Sequence, residues 1–231
     1  MSKGIFITGT DTGIGKTFVA LGLIKEMKAM GINVCPMKPV ESGCRISNGR
    51  LVPEDSMKLL KASGVDESID LINPYRLRHP LAPSVASELE GVRIHKRQVV
   101  NAYNRLSRKY DLILVEGAGG IMAPVYKKYL MIDLIKELDL PIIIVARPGL
   151  GTINHSLLTI EAARKKGITI PGIVINYSEN IKKGLSEKTS PDVIEKVGQV
   201  PVLAIITFLK ITRRNNSQIF RSLAERILAR L

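Results

Sequence analysis

The residues best suited to chemistry lie near the amino terminus, in a stretch rich in glycine and threonine. Residues 9 to 17 read G-T-D-T-G-I-G-K-T, directly after an apolar run and directly before a segment with helical apolar spacing. Such a loop binds phosphate, because its backbone N–H groups and the amino end of the next helix point at the anion. Lys16 is predicted to reach the β- and γ-phosphates, and the Thr17 hydroxyl to bind Mg²⁺. The spacing is unusual, since the expected first glycine would fall on Thr10 and the chain instead has Gly9.

Mg²⁺ bound beside phosphate usually takes one or two carboxylates as further ligands. Glu116 ends an apolar run within V-E-G-A-G-G, where a metal-binding acid of a nucleotide enzyme would stand. The alternative is that Glu116 only caps the following loop. Asp55 lies near the start of a predicted helix, and from spacing alone it is equally well a metal ligand or an ordinary first-turn acid.

A third group of candidate residues follows the second predicted strand, in K-P-V-E-S-G at positions 38 to 43. A lysine at this strand end could neutralise charge on a transferring phosphoryl group. From the local sequence, Lys38 is equally well a surface lysine before a turn. Glu41 is interpreted as a solvated loop acid rather than a ligand.

The elements that must position these residues alternate between apolar strands and amphipathic helices. The predicted strands are continuous apolar runs at residues 4 to 9, 32 to 38, 111 to 116, 141 to 146, 168 to 176 and 200 to 206. Continuous rather than alternating apolar residues indicate burial on both faces of a parallel sheet. We therefore predict one doubly wound α/β domain over residues 1 to 231, with helices on both faces and ligands beyond the carboxyl ends of the strands.

The charge of +13 is concentrated in two segments, residues 93 to 109 and 207 to 231. Both have helical apolar spacing, so the simplest interpretation is two amphipathic helices with solvated basic faces. A nucleic-acid surface is not expected, because only 4% of the residues are aromatic and stacking platforms are scarce. No apolar stretch approaches the length of a membrane span, no signal peptide is visible, and two cysteines indicate no oxidising compartment, so we expect a cytoplasmic protein.

Four motifs together resemble one family, the dethiobiotin synthases. They are G-T-D-T-G-I-G-K-T, K-P-V-E-S-G, V-E-G-A-G-G and L-G-T-I-N-H, in this order and at similar separations over residues 4 to 177. The resemblance implies an ATP- and Mg²⁺-dependent ligase fold of the phosphate-loop type. Its reaction joins CO₂ to 7,8-diaminononanoate through a carbamate and a carbamic–phosphoric anhydride, giving dethiobiotin, ADP and phosphate.

The resemblance also implies roles for individual residues. Lys16 and Lys38 would bind the γ-phosphoryl and carbamate charges as the catalytic lysines. The remaining roles fall into three sets. Mg²⁺ would be held by Thr17, Asp55 and Glu116. The substrate would contact Thr12, Lys38 and Ser42 at its diamine end and Leu150, Gly151 and Asn154 at its carboxylate, across a homodimer interface. The nucleotide would contact Gly13, Ile14, Gly15, Lys16, Thr17, Phe18, Asp55, Glu116, Gly117, Ala118, Gly119, Asn176 and Tyr177, with Pro201, Val202 and Leu203 lining the base.

An ordinary helix amino terminus remains the alternative for residues 150 to 154. Two alternative functions are also considered. An amidoligase of the cobyrinate-amidating type is disfavoured, because 231 residues leave no room for an additional glutaminase domain of ordinary size. A regulatory ATPase of the partition or septum-positioning type would have a second lysine five residues before Lys16, where this chain has Asp11.

Overall fold

A computed structural model describes residues 4–180, 184–208 and 213–231 of the chain. Its centre is a six-stranded parallel sheet in the order β12-β11-β10-β1-β7-β2. In chain order the strands are β1 (Gly4–Gly9), β2 (Val34–Met37), β3 (Val40–Ser42), β4 (Arg45–Ser47), β5 (Arg50–Val52), β6 (Tyr75–Leu77), β7 (Leu112–Glu116), β8 (Pro124–Tyr126), β9 (Tyr129–Leu130), β10 (Ile142–Ala146), β11 (Gly172–Asn176) and β12 (Val202–Ile206).

Helices cover both faces of this sheet, which confirms the predicted fold class. They are α1 (Lys16–Ala29), α2 (Glu54–Ser63), α3 (Ile69–Ile72), α4 (Pro83–Leu89), α5 (Lys96–Ser107), α6 (Met131–Leu138), α7 (Thr152–Lys165), α8 (Leu185–Gly198) and α9 (Arg213–Leu228).

Alternate side chains of β1 show why a continuous apolar strand is needed here. Ile5 and Ile7 join the core beneath α1 and α9, whereas Phe6 joins the opposite core beneath α5, α6 and α7. All three side chains are fully buried. Because each face of the strand meets a layer of helices, a polar residue on either face would lose its water.

The position of β1 decides where the site forms. Its neighbours are β7 on one side and β10 on the other. The crossover that leaves β1 leads past β7 to β2, whereas the crossover that leaves β10 leads in the opposite direction to β11. A crevice opens at the carboxyl end of a strand where crossovers diverge, and ligands of open α/β sheets bind there. The glycine-rich loop leaves β1 at this end of the strand.

Several boundaries differ from the predicted ones, with identifiable causes. The strand predicted over residues 168 to 176 begins only at Gly172, because Pro171 has no N–H to donate to a ladder. Pro36 lies in β2, an edge strand, as its missing N–H requires. The short strands β3 to β6, β8 and β9 and helices α3, α4, α6 and α8 were not predicted. Pro191 lies inside α8 and weakens its helical signal.

Each of the two basic segments contains a helix, α5 in the first and α9 in the second. In α5 the apolar residues Val99, Tyr103 and Leu106 are buried, while the six basic residues from Arg93 to Lys109 are all exposed. In α9, Leu223 and Ile227 are buried as predicted. Lys210 of the second segment lies outside the described residues. Among the described helices, none has the length and apolar character needed to cross a bilayer.

Candidate active site

The phosphate loop joins β1 to α1, and glycine conformation shapes its turn. Gly15 precedes α1 with φ of 88° and ψ of 31°, a left-handed conformation that side chains other than glycine rarely adopt. A Cβ atom at Gly15 would also lie 2.2 Å from Nδ2 of Asn176. The amide of Asn176 donates a 2.8 Å hydrogen bond to the carbonyl of Ile14. The loop, which follows β1, is therefore also held by the carboxyl end of β11.

Lys16 is the first residue of α1, and its side chain folds back over the loop. Its ammonium donates a 2.9 Å hydrogen bond to the carbonyl oxygen of Asp11. The residue is 8% exposed. Burial lowers the pKa of Lys16 to about 8, although the nearby Glu116 carboxylate opposes that shift. The lysine is thus charged at neutral pH but poorly solvated, which favours contact with an anion.

Side chains from four separate segments of the chain meet at one point: Thr17 of α1, Lys38 just after β2, Asp55 of α2 and Glu116 of β7. The Lys38 ammonium lies 2.7 Å from Oδ2 of Asp55 and 2.8 Å from Oε1 of Glu116. The Thr17 hydroxyl lies 2.7 Å from the same oxygen of Glu116 and 3.2 Å from Oδ2 of Asp55. The predicted metal ligands are therefore together, and Lys38 is buried among them rather than a surface lysine.

The ion pairs determine the protonation states in this cluster. Burial by itself would lower the pKa of Lys38, but the Glu116 and Asp55 carboxylates outweigh it and raise that pKa above its ordinary value. Burial would likewise raise the pKa of Asp55, yet the Lys38 ammonium lowers it below its ordinary value. Lys38 is therefore a permanent cation and Asp55 a permanent anion near neutral pH.

Two interactions hold the backbone of Lys38 in place. Its N–H donates to the carbonyl of Ile72 at 2.9 Å, and its carbonyl accepts a 2.5 Å hydrogen bond from Nδ2 of Asn73. Asn73 is fully buried. Sequence reasoning missed this residue, because it lies 35 positions away in an unpredicted segment.

The interpretation of Glu41 as a solvated loop acid is wrong. Glu41 is only 5% exposed, and its carboxylate accepts hydrogen bonds from the backbone N–H groups of Asp55 and Ser56 at 2.9 and 3.0 Å. It also accepts the Ser56 hydroxyl at 2.5 Å. Glu41 therefore caps the amino end of α2, the helix that carries Asp55. The sequence offered one indirect signal, since Pro53 before that helix cannot cap it with its own side chain.

A cavity of about 290 Å³ opens over this cluster. It brings together most of the residues predicted for phosphate, metal and the diamine end of the substrate. A larger groove of about 920 Å³ lies between the β4–β5 hairpin and α2 and contains none of the predicted site residues. The smaller cavity is lined by Thr12, Gly13, Gly15, Lys16, Thr17, Lys38, Glu41, Ser42, Asp55, Glu116, Gly117, Ala118 and Gly119.

The oxygen atoms at this cavity suit a magnesium ion. Oε2 of Glu116 is buried and has no hydrogen-bond partner among the described residues, an arrangement that is costly unless a cation or water completes it. Over the described residues, no group of three His, Cys, Asp or Glu side chains could hold a metal without help. Two carboxylates and one hydroxyl fit Mg²⁺, which takes its other ligands from phosphates and water.

The residues predicted to contact the nucleotide base are divided between two ends of the sheet. Asn176 ends β11 beside the phosphate loop, and its Oδ1 atom is buried without a hydrogen-bond partner among the described residues. The Tyr177 side chain is buried in the core, and Phe18 packs edge-on against Phe220 at the start of α1.

Pro201, Val202 and Leu203 lie instead at the amino end of β12, whose carboxyl end is Ile206. Leu203 is buried there and packs directly against Gly172. This placement argues against their contact with a base bound beside Asn176, because ligands of such sheets bind at the carboxyl ends of strands. The residues that follow β12 at that end are Thr207 and Phe208, and Phe208 is 43% exposed.

Residues 150 to 154 form the turn into α7. Gly151 has φ of 86° and precedes the helix, Leu150 is 86% exposed, and Asn154 is exposed on the first turn. The Thr152 hydroxyl donates to the carbonyl of Arg147 at 2.5 Å, which closes the turn. None of these residues lines the phosphate cavity of the described chain.

Comparison with solved structures identifies the fold. A MinD protein from Pyrococcus horikoshii, solved with Mg-ADP, superposes with a TM-score of 0.62 over 99% of this chain and 98% of its own, at 18% identity. A ParA family ATPase from Chlorobium tepidum gives a TM-score of 0.59 over 97% and 99% of the two chains, at 16% identity. At these identities the comparison shows the phosphate-loop ATPase fold alone.

Comparison by sequence is more specific. A family model described as an AAA domain matches residues 3–216. The ATP-dependent dethiobiotin synthetase of Thermodesulfovibrio yellowstonii is 44% identical over 90% of both chains. That of Methanocaldococcus jannaschii is 44% identical over 87% of this chain and 92% of its own, and that of Bacillus subtilis is 41% identical over 88% and 86%. Similarity of this extent and degree shows that the chain belongs to the dethiobiotin synthetase family.

Proposed function

We propose that this chain carries out the reaction for which its relatives are named, the ATP-dependent synthesis of dethiobiotin from 7,8-diaminononanoate and CO₂. The observation that carries the proposal is the convergence of Lys16, Lys38, Asp55 and Glu116 on one cavity beside the phosphate loop. Two cations and two carboxylates in a partly closed site suit phosphoryl transfer, which depends mainly on positioning and on neutralising charge.

The proposed synthesis of dethiobiotin proceeds in three steps. One amine of the diamine adds to the carbon of CO₂ and loses a proton, which gives a carbamate. A carbamate oxygen then attacks the γ-phosphorus of ATP, the bond to ADP breaks, and a carbamic–phosphoric anhydride forms. The second amine attacks the carbonyl carbon of that anhydride and loses a proton, the C–O bond to phosphate breaks, and the new C–N bond closes the ureido ring.

The two lysines hold the negative charges of these steps. The phosphate loop and the amino end of α1 bind the phosphates of ATP through backbone N–H groups, and Lys16 lies over the same loop. Lys38, kept protonated by Asp55 and Glu116, turns from those carboxylates to the γ-phosphoryl and carbamate oxygens. Its raised pKa makes it a fixed positive charge rather than a base for either amine.

Thr17, Asp55 and Glu116 are the residues that would hold Mg²⁺, as the unpartnered Oε2 of Glu116 supports. When bound, the ion neutralises charge on the β- and γ-phosphate oxygens and orients them for attack. Thr17 places its hydroxyl between the two carboxylates. Asp55 and Glu116 come from α2 and β7, so the site is assembled only when these two elements pack against α1.

The substrate is bound at both of its ends. Thr12 and Ser42 line the cavity and are proposed to contact the diamine end. Leu150, Gly151 and Asn154 are proposed to bind the distal carboxylate, since the amino end of a helix favours an anion. Because these residues do not line this chain's own cavity, they are assigned to the site of a second subunit in a homodimer.

For the nucleotide base, Asn176 provides the acceptor. Its Nδ2 group is already bonded to the carbonyl of Ile14, so the buried Oδ1 atom is free to accept from an amino group such as that of adenine. This favours ATP over nucleotides that present only a carbonyl at that position.

An enzyme that consumes ATP is expected in the cytoplasm.

Phosphate release from ATP, Mg²⁺ and bicarbonate, measured with and without 7,8-diaminononanoate, tests the proposal. We expect release that depends on the diamine, with dethiobiotin identified by mass spectrometry. Hydrolysis that is independent of the diamine would favour a regulatory ATPase, whose fold this chain shares. Release that depends instead on an acid substrate and an amide donor would favour an amidoligase.

A further inference from the structure

The amino end of α2 lacks a cap from its own segment. The residue before the helix is Pro53, and no side-chain hydrogen bond from it reaches the first turn. The first N–H groups of a helix have no partners within the helix and need an acceptor from elsewhere. In α2 the N–H groups that need an acceptor from outside the helix include that of Asp55, a residue that the proposed function assigns to the metal.

Glu41 supplies the missing acceptors from a separate segment. One carboxylate oxygen accepts the N–H of Asp55 at 2.9 Å, and the other accepts the N–H of Ser56 at 3.0 Å and the Ser56 hydroxyl at 2.5 Å. Glu41 and Ser56 are both buried, at 5% and 0% exposure. A negative charge at this end of the helix is also stabilised by the helix dipole.

The same residue connects the two segments that form the charged cluster. Glu41 lies in β3, three positions after Lys38, and its side chain holds the first turn of α2. Asp55, in that turn, contacts the Lys38 ammonium at 2.7 Å and the Thr17 hydroxyl at 3.2 Å. Glu41 therefore fixes the position of the Asp55 main chain, and the Asp55 side chain extends from there to the cavity.

Glu41 lines the cavity, but the hydrogen bonds of its carboxylate are made to α2 and not to the charged cluster. Both of its oxygens are occupied by donors of α2. We infer that Glu41 is a positioning residue that holds Asp55 in place for the metal, an inference that rests on the proposed function of Asp55. It acts through the backbone of Asp55 and touches neither phosphate nor substrate.

The test measures binding of β,γ-methylene-ATP by calorimetry in EDTA and across a titration of MgCl₂, which separates the metal from the phosphate loop without turnover. For Glu41→Ala we expect affinity in EDTA close to wild type and an apparent Mg²⁺ affinity lowered about 10- to 100-fold, as is typical when a residue that orients a ligand is removed. Glu41→Gln should be intermediate, because the amide replaces one of the two acceptor oxygens with an NH₂ donor, so that only one of the two backbone N–H groups keeps its acceptor.

Glu54→Ala is the matched control. It removes an acid from the same helical turn, but Glu54 pairs with Arg45 on the surface, where its side chain is 49% exposed. Its Mg²⁺ affinity should stay close to wild type, since exposed ion pairs contribute little. If Glu41→Ala does not fold, the nearly isosteric Glu41→Gln decides the question.

Three results would overturn the inference. Glu41→Ala or Glu41→Gln could match the Glu54→Ala control in Mg²⁺ affinity. Either could lose affinity equally in EDTA and in Mg²⁺, which would indicate a general structural role. If Mg²⁺ does not change the affinity of the wild-type chain for the analogue, the proposed metal site is overturned and the inference with it. If Mg²⁺ changes the wild-type affinity but the variants behave like wild type, only the inference is overturned.

Discussion

Lys38 and Glu116, which are 78 positions apart in the chain, form a buried ion pair with Nζ 2.8 Å from Oε1. The two side chains are 7% and 1% exposed. The ammonium thus lies within ion-pair distance of both Asp55 and Glu116, whose carboxylates would otherwise repel each other. The ion pair therefore stabilises the fold, and it also keeps the Lys38 ammonium at the site where the proposed reaction needs a positive charge.

Lys38→Met should therefore lower both stability and turnover. Removing one partner of a buried ion pair costs about 3–5 kcal/mol, because the remaining charge is left unpaired. Urea denaturation should show this loss without Mg²⁺, and added MgCl₂ should restore part of it by neutralising Asp55 and Glu116. Lys58→Met is the control, since Lys58 approaches Asp55 only at 3.6 Å and is 58% exposed. A stability loss no larger than that of the control would contradict the prediction.

Lys16 should make nucleotide binding depend on pH. Its pKa in the free chain is lowered to about 8 by burial, so it is protonated below that pH and increasingly neutral above it. Bound phosphates favour the ammonium, and binding above about pH 8 must therefore include uptake of a proton, so ADP affinity should fall by up to about tenfold per pH unit.

Calorimetry in buffers of different ionisation heats measures that uptake directly. Lys16→Ala should bind weakly and take up no proton, and it should also abolish turnover. If the wild-type chain takes up the same number of protons well below and well above the pKa of Lys16, Lys16 is not the group that is protonated on nucleotide binding.

Gly15→Ala should impair nucleotide binding far more than Gly13→Ala. Both glycines have positive φ, 88° and 75°, so each substitution strains the backbone, by about 1–3 kcal/mol. Only at Gly15 would the new Cβ meet a neighbour, at 2.2 Å from Nδ2 of Asn176, whereas nothing lies within 4 Å of a Cβ at Gly13. Equal ADP affinities for the two variants, measured by calorimetry, would show that the contact with Asn176 is unimportant.

Asn154→Ala tests the proposed site for the substrate carboxylate. We expect the KM for 7,8-diaminononanoate to rise by about tenfold, the effect of losing a charged hydrogen bond of roughly 1.5 kcal/mol. The KM for ATP should change little. Asn104→Ala, an exposed asparagine on α5, is the control in steady-state assays. Equal rises in both KM values would argue against a substrate-tail role.

Phe208→Ala and Val202→Ala together test which end of β12 lies near the base. Phe208 follows the carboxyl end of this strand, and Val202 begins it. Because ligands bind at the carboxyl ends of parallel strands, Phe208→Ala should raise the KM for ATP several-fold and Val202→Ala should leave it unchanged. The reverse pattern in ATP-dependent phosphate release would restore the sequence-based assignment of Pro201, Val202 and Leu203.

The sheet and the phosphate loop were predictable because their signals are local. A continuous apolar run such as that of β1 is unstable unless both faces are covered, and Gly15-Lys16-Thr17 after a strand leaves few alternatives for the turn. Thr17, Lys38 and Glu116 could be named because each lies within a motif of the family, whereas Asp55 lies outside these motifs and its role was implied only by the resemblance as a whole. Their residue types alone left Lys38 and Asp55 undecided.

The tertiary structure decided which of these side chains touch and which residues support them. Glu41 looks like a loop acid in the sequence, and it becomes a cap only because β3 packs beside the amino end of α2. The position of Pro201 to Leu203 at the amino end of β12 also became visible only in the structure, because sequence alone does not say at which end of a strand the chain meets the ligand. Local hydrogen bonds and apolar spacing determined the elements, whereas contacts such as that of Lys38 with Glu116 form only when the crossovers bring the carboxyl ends of separate strands to one edge of the sheet.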